Sequence, residues 1–231
     1  MQIGCIIQAR TTSTRLPNKV NMDIGGWPMW RHVAERMRPF NPIVAWAEDY
    51  PHIEEKDVLW RYVACARLNA LDVIMRVTGD CPLIDPGACQ EVLDKFLARH
   101  DDYAANDLIR TYPDGLGCEV MSRRALEWAN VWAGPDEREH VTTHIRKSKR
   151  FTKSNVLCPY VGYEDLKLSV DTQEDLDLAR RIDALLPAGD GKYRLETTLE
   201  AYKRVKDQDG TSGANHRSED GGRARPDYRT H

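Results

Sequence analysis

Apolar residues along the chain occur either in short continuous runs or at helical spacing. The runs at residues 3–7, 43–46 and 72–77 are almost free of polar alternation, which is typical of strands buried on both faces of a parallel sheet. Apolar residues at three- and four-residue spacing predict helices over residues 28–38 and 54–69. This alternation predicts an α/β protein with an open, mostly parallel sheet and helices on both faces.

The same pattern continues through the second half of the chain. It predicts strands over residues 103–106, 118–121, 151–157 and 166–170, and helices over residues 86–99, 123–132, 172–186 and 195–205, with another beginning near 137. Thr172 with an acid three residues later resembles a capping box at the start of one helix. Residues 206–231 contain almost no apolar side chain, so we expect one domain over residues 1–205 and a disordered tail.

Charge and cysteine usage narrow the class of protein. A net charge of -3 and a pI near 6.2 argue against a general nucleic-acid binder. The six cysteines include no Cys-x-x-Cys pair, which favours free thiols in a reducing compartment. No apolar segment approaches membrane-spanning length, and no signal core follows the N-terminus. We therefore expect a soluble, cytoplasmic protein with no membrane or nucleic-acid partner.

A basic loop follows the first predicted strand. Arg10, Arg15 and Lys19 lie within ten residues with no acid among them, and residues 11–14 are all Thr or Ser. Guanidinium and ammonium groups beside hydroxyls and accessible amides suit a polyphosphate at the carboxyl end of a strand. A merely solvated basic loop explains the spacing equally well. The loop lacks the Gly-Lys-Ser/Thr ending of a Walker loop and the glycine spacing of a dinucleotide fingerprint.

Two carboxylates follow predicted strands. Asp80 lies just after the strand that ends at Val77, and Asp171 follows the strand predicted to end at Val170. If both strands run parallel to the first, both carboxylates reach the edge where the basic loop lies. Two hard oxygen ligands beside a polyphosphate are what Mg²⁺ uses. Taken singly, Asp80 could instead be a turn residue and Asp171 a capping residue.

Other polar residues leave two interpretations open. Arg76, inside an apolar strand, either contacts a ligand or pairs with a buried acid. Asn106, Asp114 and Glu119 fall in a loop–strand segment that could line a sugar pocket, although Asp114 also precedes a glycine in a good turn sequence. His140 either orients a ligand or lies on the surface at a helix start.

Five stretches in order, IIQARTTSTRLPNK, RVTGDCPLIDP, TYPDGLGCEV, EREHVTTHIRK and LSVDTQEDLDLAR, resemble the cytidylyltransferases of the spore-coat polysaccharide type. These are relatives of the acylneuraminate and 3-deoxy-manno-octulosonate cytidylyltransferases, and the resemblance covers residues 3 to 185. It implies a GT-A-like nucleotidyltransferase fold that uses CTP and Mg²⁺. It also implies transfer of a cytidylyl group to a sugar hydroxyl, with release of pyrophosphate, for surface polysaccharide biosynthesis. A nonulosonic or related acidic sugar is the expected substrate.

The resemblance also implies roles for individual residues. The implied nucleotide-binding residues are Gln8, Ala9, Arg10, Ser13, Arg15, Lys19, Arg76 and Asp80. The implied catalytic residues are Arg15, Lys19, Asp80 and Asp171, of which Asp80 and Asp171 would hold the metal. The implied sugar-binding residues are Asn106, Asp114, Glu119, Glu139 and His140.

The chain departs from the family pattern in its first half. Asn18 stands where glycine is usual, and the segment between Trp46 and Val58 is short, whereas relatives carry an additional helix and strand there. A non-catalytic nucleotide- or partner-binding protein and a glycosyltransferase of the same fold remain alternatives, although the usual Asp-x-Asp motif of the latter is not evident. The sequence leaves the oligomeric state open, with a homodimer among the options.

Overall fold

The computed structural model of the chain describes residues 1–189 and 192–210. Its strands are β1 (Ile3–Ala9), β2 (Asp23–Ile24), β3 (Trp27–Pro28), β4 (Pro42–Trp46), β5 (Val73–Thr78), β6 (Tyr103–Ala105), β7 (Glu119–Ser122) and β8 (Lys153–Asn155). Its helices are α1 (Met29–Arg36), α2 (Val58–Leu68), α3 (Pro86–Arg99), α4 (Arg123–Trp132), α5 (Pro135–Arg138), α6 (Thr143–Lys147), α7 (Gln173–Asp183) and α8 (Leu195–Gln208). Short 3₁₀ turns lie at Lys19–Asn21, Arg38–Phe40 and Ala47–Asp49.

Six strands form one sheet in the order β4–β1–β5–β7–β6–β8, and β2 pairs with β3 as a separate hairpin. β1 is parallel to both β4 and β5, β7 is antiparallel to both its neighbours, and β8 is parallel to β6. Every strand of the sheet except β7 therefore runs in one direction, which confirms the predicted mostly parallel sheet. The carboxyl ends of β1 and β5 meet at one edge, where ligands bind in sheets of this kind.

Alternate residues of β1 pack into two different cores. Cys5 and Ile7 face a core that includes side chains of α1, α3 and α8, whereas Ile6 faces a core that includes α2 and α4. All three side chains are fully buried. The polar-free run at the start of the sequence is thus a strand covered on both faces, and the predicted helices on both faces of the sheet are confirmed.

Capping residues set several helix boundaries. α3 begins at Pro86 because the Asp85 carboxylate accepts a hydrogen bond from the Gly87 amide at 2.7 Å. In the same way Asp57 caps α2, which begins four residues later than predicted. The predicted capping box at Thr172 is present, with the side chain of Asp175 accepting from the Thr172 amide at 2.9 Å.

The predicted strand over residues 166–170 is wrong. The segment is extended, but its backbone partners lie in loops: Leu168 N donates to Asp114 O at 2.7 Å, and Val170 N donates to Asp80 O at 2.9 Å. The one bridge in the segment pairs Lys167 with Asp114. These backbone bonds between loops therefore position the segment as a strand would, and they leave the following residue, Asp171, beside Asp80.

The short connection after β4 consists of the 3₁₀ turn Ala47–Asp49 and a turn that leads into α2. Within the described residues β4 is an edge strand, with β1 as its neighbour. At the other end of the chain, α8 extends to Gln208, past the expected boundary at 205, and residues 211–231 of the expected tail lie outside the described residues.

All six cysteines are buried and free, as the absence of a paired motif predicted. None of the helices within residues 1–189 and 192–210 has the length and apolar character needed to cross a bilayer.

Gly115 allows the loop after β6 to lie against residues 168–169, and Gly115→Ala tests this contact. The residue has a φ of +94°, and an added Cβ would lie 2.4 Å from Ser169 N. Gly162→Ala is the matched control, because Gly162 has a φ of +86° with open space around it. Backbone strain alone costs about 1–3 kcal/mol. We expect urea titration to give a larger loss of unfolding free energy for Gly115→Ala. Equal losses would mean that the close approach contributes nothing.

Candidate active site

A cavity of about 240 Å³ opens at the carboxyl ends of β1 and β5. The basic loop, both strand-end carboxylates and the start of the segment before α6 meet there. The predicted site residues that line it are Gln8, Arg10, Ser13, Arg15, Lys19, Arg76, Asp80, Glu139, His140 and Asp171. Ala9 is buried at the end of β1 and is not among the lining residues.

Lys19 lies at the centre of this site. Its Nζ donates to Asp80 Oδ2 and to Asp171 Oδ1, both at 2.9 Å, and to the Val170 carbonyl at 2.7 Å. Its side chain is only 11% exposed. One ammonium group therefore joins the basic loop to both carboxylates, and all three of its hydrogen-bond donors are used.

The charges in this cluster shift one another's pKa values. Burial by itself lowers the pKa of Lys19, but the carboxylates of Asp80 and Asp171 outweigh it and raise the pKa above its ordinary value. Burial by itself raises the pKa of Asp171, but hydrogen bonding and charge from Lys19, with smaller effects of Lys167 and Arg15, lower it overall. Lys19 is thus an ammonium and Asp171 a carboxylate at neutral pH.

Asn18 explains how the loop turns before Lys19 without a glycine at this position. Its φ is +58°, in the left-handed region, which asparagine adopts more readily than most residues. Its amide donates to the Thr11 carbonyl at 2.9 Å, and its side-chain oxygen accepts from Asn21 at 2.7 Å. Asparagine therefore supplies a left-handed backbone conformation without glycine at this position.

The short segment after β4 holds the first half of the basic loop. Glu48 accepts hydrogen bonds from the amide of Thr11 at 3.0 Å and from its hydroxyl at 2.5 Å. Glu55 accepts from the Thr12 hydroxyl at 2.5 Å and lies 3.4 Å from the Arg10 guanidinium. Sequence reasoning missed both acids, although two glutamates in a short connection beside a basic loop were a readable signal.

Asp171 is fixed by the helix that it precedes. Its amide donates to Asp175 Oδ2 at 2.9 Å, next to the capping box of α7. Its carboxylate lies 3.0 Å from Arg15 and 3.4 Å from Lys167. The carboxylate is 20% exposed and faces the cavity, so it combines a fixed backbone with an accessible oxygen.

Asp80 and Asp171 bring two carboxylates, the donor type that a hard divalent cation uses, to one cavity. Each has an oxygen 2.9 Å from the same Lys19 nitrogen, so these oxygens are separated by at most twice that distance. Both carboxylates line the cavity and are partly exposed. The described residues contain no cluster of three or more His, Cys, Asp or Glu side chains suited to a metal. A cation here would therefore need oxygens of a bound phosphate and of water.

Arg76 both pairs with a buried acid and lines the cavity. It lies opposite Glu119 in the β5–β7 pairing and donates to that carboxylate. Burial by itself lowers the pKa of Arg76, but the charge of Glu119 outweighs it and raises the pKa. Glu119 is 2% exposed and also accepts from Tyr103, Thr142 and Arg146. The carboxylate expected to bind sugar is thus enclosed behind the cavity wall.

Asn106 and Asp114, also expected on the sugar side, are engaged within the protein. Asn106 is fully buried, where its amide group donates to the Leu116 carbonyl and accepts from the Cys118 amide, both at 2.8 Å. Asp114 accepts from the Ser169 hydroxyl at 2.7 Å. Of the five residues expected to bind sugar, Glu139 and His140 line the cavity.

Replacing Lys19 with Met tests whether its charge holds the two carboxylates together. We expect a loss of about 1–3 kcal/mol of unfolding free energy at pH 7, because charge-assisted bonds to partly buried carboxylates are lost. Since the native pKa of Asp171 is lowered, its contribution is present above about pH 4 and disappears as the pH falls further. In denaturant titrations, the difference in unfolding free energy between Lys19→Met and wild type should become smaller below pH 4.

Lys95→Met, at an exposed position on α3, is the control for this prediction and should be nearly silent at every pH. A Lys19→Met deficit that stays constant from pH 7 to pH 3 would show that the lost stability comes from packing of the lysine stem rather than from its charge.

Comparison with known proteins identifies relatives that match about three quarters of the chain. A family model described as Cytidylyltransferase matches residues 4–44. An uncharacterized protein of Methanocaldococcus jannaschii is 34% identical over 203 residues, covering 77% of this chain and 82% of that protein. The spore coat polysaccharide biosynthesis protein SpsF of Bacillus subtilis is 28% identical over 74% of this chain and 82% of its own length.

A solved structure of a cytidylyltransferase from Leptospira borgpetersenii has the same fold. It superposes with a TM-score of 0.80 at 24% identity, covering 94% of this chain and 98% of that chain. The similarity thus extends across the sheet and the elements that surround the cavity. Together, the family model and the similarity to these relatives, including the 34% identical one, show that this chain belongs to the cytidylyltransferase family, whose members are nucleotidyltransferases.

Proposed function

We propose that the protein transfers a cytidylyl group from CTP to a sugar hydroxyl and releases pyrophosphate. The observation that carries this proposal is the cavity in which the cations of the basic loop face Asp80 and Asp171 at the carboxyl edge of the sheet. A triphosphate needs several positive groups, and a divalent cation needs carboxylate oxygens. Both are present within one cavity of about 240 Å³.

The basic loop would bind the triphosphate. Arg15 is 66% exposed and Arg10 36%, so both guanidinium groups are accessible to phosphate oxygens. The hydroxyls of Ser13 and Thr14 line the same cavity and add neutral donors. Glu48 and Glu55 hold the start of the loop in place, so that little reordering is needed when the nucleotide binds.

Asp80 and Asp171 would hold Mg²⁺ together with the nucleotide phosphates. When bound, the metal supplies positive charge that neutralises the phosphates and the pyrophosphate leaving group. The carboxylates keep this charge beside the loop, and Lys19 keeps the carboxylates beside each other. The chemistry asked of the protein is positioning and electrostatic stabilisation as the sugar oxygen attacks the α-phosphorus.

The sugar would lie against the wall formed by Arg76, Glu139 and His140. The guanidinium of Arg76, which bonds to Glu119 through one nitrogen, also lines the cavity and would donate to the carboxylate of an acidic sugar such as a nonulosonic acid. The name of the Bacillus subtilis relative supports a place in surface polysaccharide biosynthesis. The contacts of Glu48 and Glu55 with the loop support an active enzyme despite the short segment after β4.

The direct test measures pyrophosphate release from CTP and Mg²⁺ across a panel of nonulosonic and related sugars, beside titration calorimetry with CTP. We expect release with at least one acidic sugar, and no release without Mg²⁺. CTP binding without turnover on any sugar would favour a non-catalytic nucleotide-binding protein. Preference for a nucleotide-sugar over CTP would favour a glycosyltransferase instead.

Arg15→Ala tests the role of the loop in nucleotide binding. Losing one charge-assisted phosphate contact costs roughly 1.5–3 kcal/mol, which corresponds to about a ten- to hundredfold loss of affinity. The exposed guanidinium contributes little to folding, so the stability of the variant should be close to wild type. Arg38→Ala is the matched control, because Arg38 is 79% exposed and is not among the cavity-lining residues. Unchanged CTP affinity in Arg15→Ala would leave the loop as a solvated basic turn.

Asp80→Asn and Asp171→Asn test the shared metal. Each variant should lose most Mg²⁺-dependent turnover while remaining folded, because asparagine keeps the size of the side chain and its ability to accept hydrogen bonds. The double variant should be scarcely worse than either single one, as expected for residues that act as a unit. Pyrophosphate release measured against Mg²⁺ concentration gives the comparison.

Full Mg²⁺-dependent activity in either single variant would rule out the shared metal. Asp177→Asn is the control, since Asp177 is 57% exposed on α7 and lies outside the cavity lining. This substitution should leave both turnover and its dependence on Mg²⁺ unchanged.

A further inference from the structure

Val141 adopts an unusual backbone conformation immediately after the cavity-lining residues Glu139 and His140. Its φ is +53° and its side chain is fully buried. The other non-glycine residues with positive φ in the described chain are Asn18, Asn41, Ala70 and His100. Val141 alone among them is β-branched, and a β-branched residue in this region is a genuine outlier whose backbone is strained.

Several contacts hold Val141 in this conformation. The Thr142 amide donates to the His140 carbonyl at 2.5 Å, which closes a tight three-residue turn around Val141. The Val141 side chain packs in the core that includes side chains of α2 and α4. The Arg146 amide donates to the Thr142 carbonyl at 2.8 Å, so the first turn of α6 begins directly after the strained residue. Such strain persists only where the surroundings over-determine the conformation.

The hydroxyl of Thr142 connects this turn to Glu119, the buried carboxylate behind the cavity wall. It donates to the Glu119 carboxylate, and both groups are buried. The same carboxylate accepts a bond from Arg76, which also lines the cavity. Glu119 thus contacts both the segment that presents His140 and the cation on the neighbouring strand, while remaining 2% exposed itself.

We propose that Glu119 is a positioning residue, and that its bond with Thr142 holds the strained Val141 turn so that Glu139 and His140 face the cavity in a preformed arrangement. Glu139 and His140 then need no ordering when a ligand binds. Binding therefore loses less conformational entropy than it would if the turn were mobile. This inference deepens the proposed function, on which it rests only for the identity of the ligand. The enclosed carboxylate contributes to binding through the residues that it orients.

The experiment compares Thr142→Val with Thr142→Ser by nuclear magnetic resonance of the His140 imidazole, assigned by its absence in His140→Gln. Valine keeps the shape of threonine but cannot donate to Glu119, whereas serine retains the hydroxyl. We expect a changed chemical shift and a broadened resonance for His140 in Thr142→Val, and wild-type behaviour in Thr142→Ser. Glu119 keeps three other donors, Arg76, Tyr103 and Arg146, so the fold should survive.

Thr198→Val is the matched control. Thr198 is also buried, but its hydroxyl has no hydrogen-bond partner within the described chain, so removing it should leave the His140 resonance unchanged. A His140 resonance that is identical in Thr142→Val and wild type would overturn the proposal. So would a serine variant that behaves like the valine variant.

Relaxation dispersion of the wild-type protein gives a second measurement that requires no substitution. A preformed turn predicts flat profiles at the backbone amides of residues 139–142, and millisecond exchange there would contradict it. Neither measurement needs a substrate, so failure to find a sugar would count against the proposed function without touching this inference.

With a sugar found by pyrophosphate release, Thr142→Val should also raise the KM for the sugar. If the competent turn is populated about a tenth of the time, the apparent affinity falls about tenfold, while the KM for CTP remains unchanged. An equal rise in both KM values would indicate general loosening of the cavity and would count against a specific role in positioning His140.

Discussion

The ammonium group of Lys19 between Asp80 and Asp171 is the interaction on which the site depends. It joins residues separated by 61 and 152 positions in the chain. Without the cation, two nearby carboxylates would repel each other, and without the carboxylates the mostly buried ammonium would be costly. Each partner therefore makes the other's position favourable, and the basic loop, the end of β5 and the start of α7 are brought to one place.

The fold brings these groups together because the carboxyl ends of neighbouring strands lie at one edge of the sheet. β1 and β5 are parallel neighbours, so the basic loop and Asp80 leave the sheet side by side. Asp171 arrives from an extended segment whose amide at Val170 bonds to the carbonyl of Asp80 itself. After β4, Glu48 and Glu55 accept hydrogen bonds from the hydroxyls of Thr11 and Thr12 in the basic loop. The connection after β4 is therefore part of the structure that supports the loop.

Apolar spacing and capping residues predicted the first and last residues of α3 and α4. The helix predicted to begin near residue 137 is wrong, because that region forms two short helices, α5 and α6, separated by a turn. The segment at residues 166–170 was misjudged because its partners are loop carbonyls and amides, which local periodicity does not encode. Nothing in the sequence indicated that the side chain of Glu119 is buried. A charged residue in a short strand has the same sequence pattern whether it faces a ligand or the interior, and only the strand register distinguishes the two.

The carboxylates near the cavity are either partly exposed, as in Asp80 and Asp171, or buried, as in Glu119, and this decides whether they can change partners. Asp80 and Asp171 remain partly exposed, with side chains 31% and 20% accessible, so they can exchange partners with a ligand or a cation. Glu119 has a side chain only 3% exposed, with four donors around it, and burial that would raise its pKa is outweighed chiefly by the charge of Arg76, which lowers it. A buried charge so fully bonded is costly to release. A carboxylate is therefore free to change its partners where water reaches it, and is held by its donors where water does not.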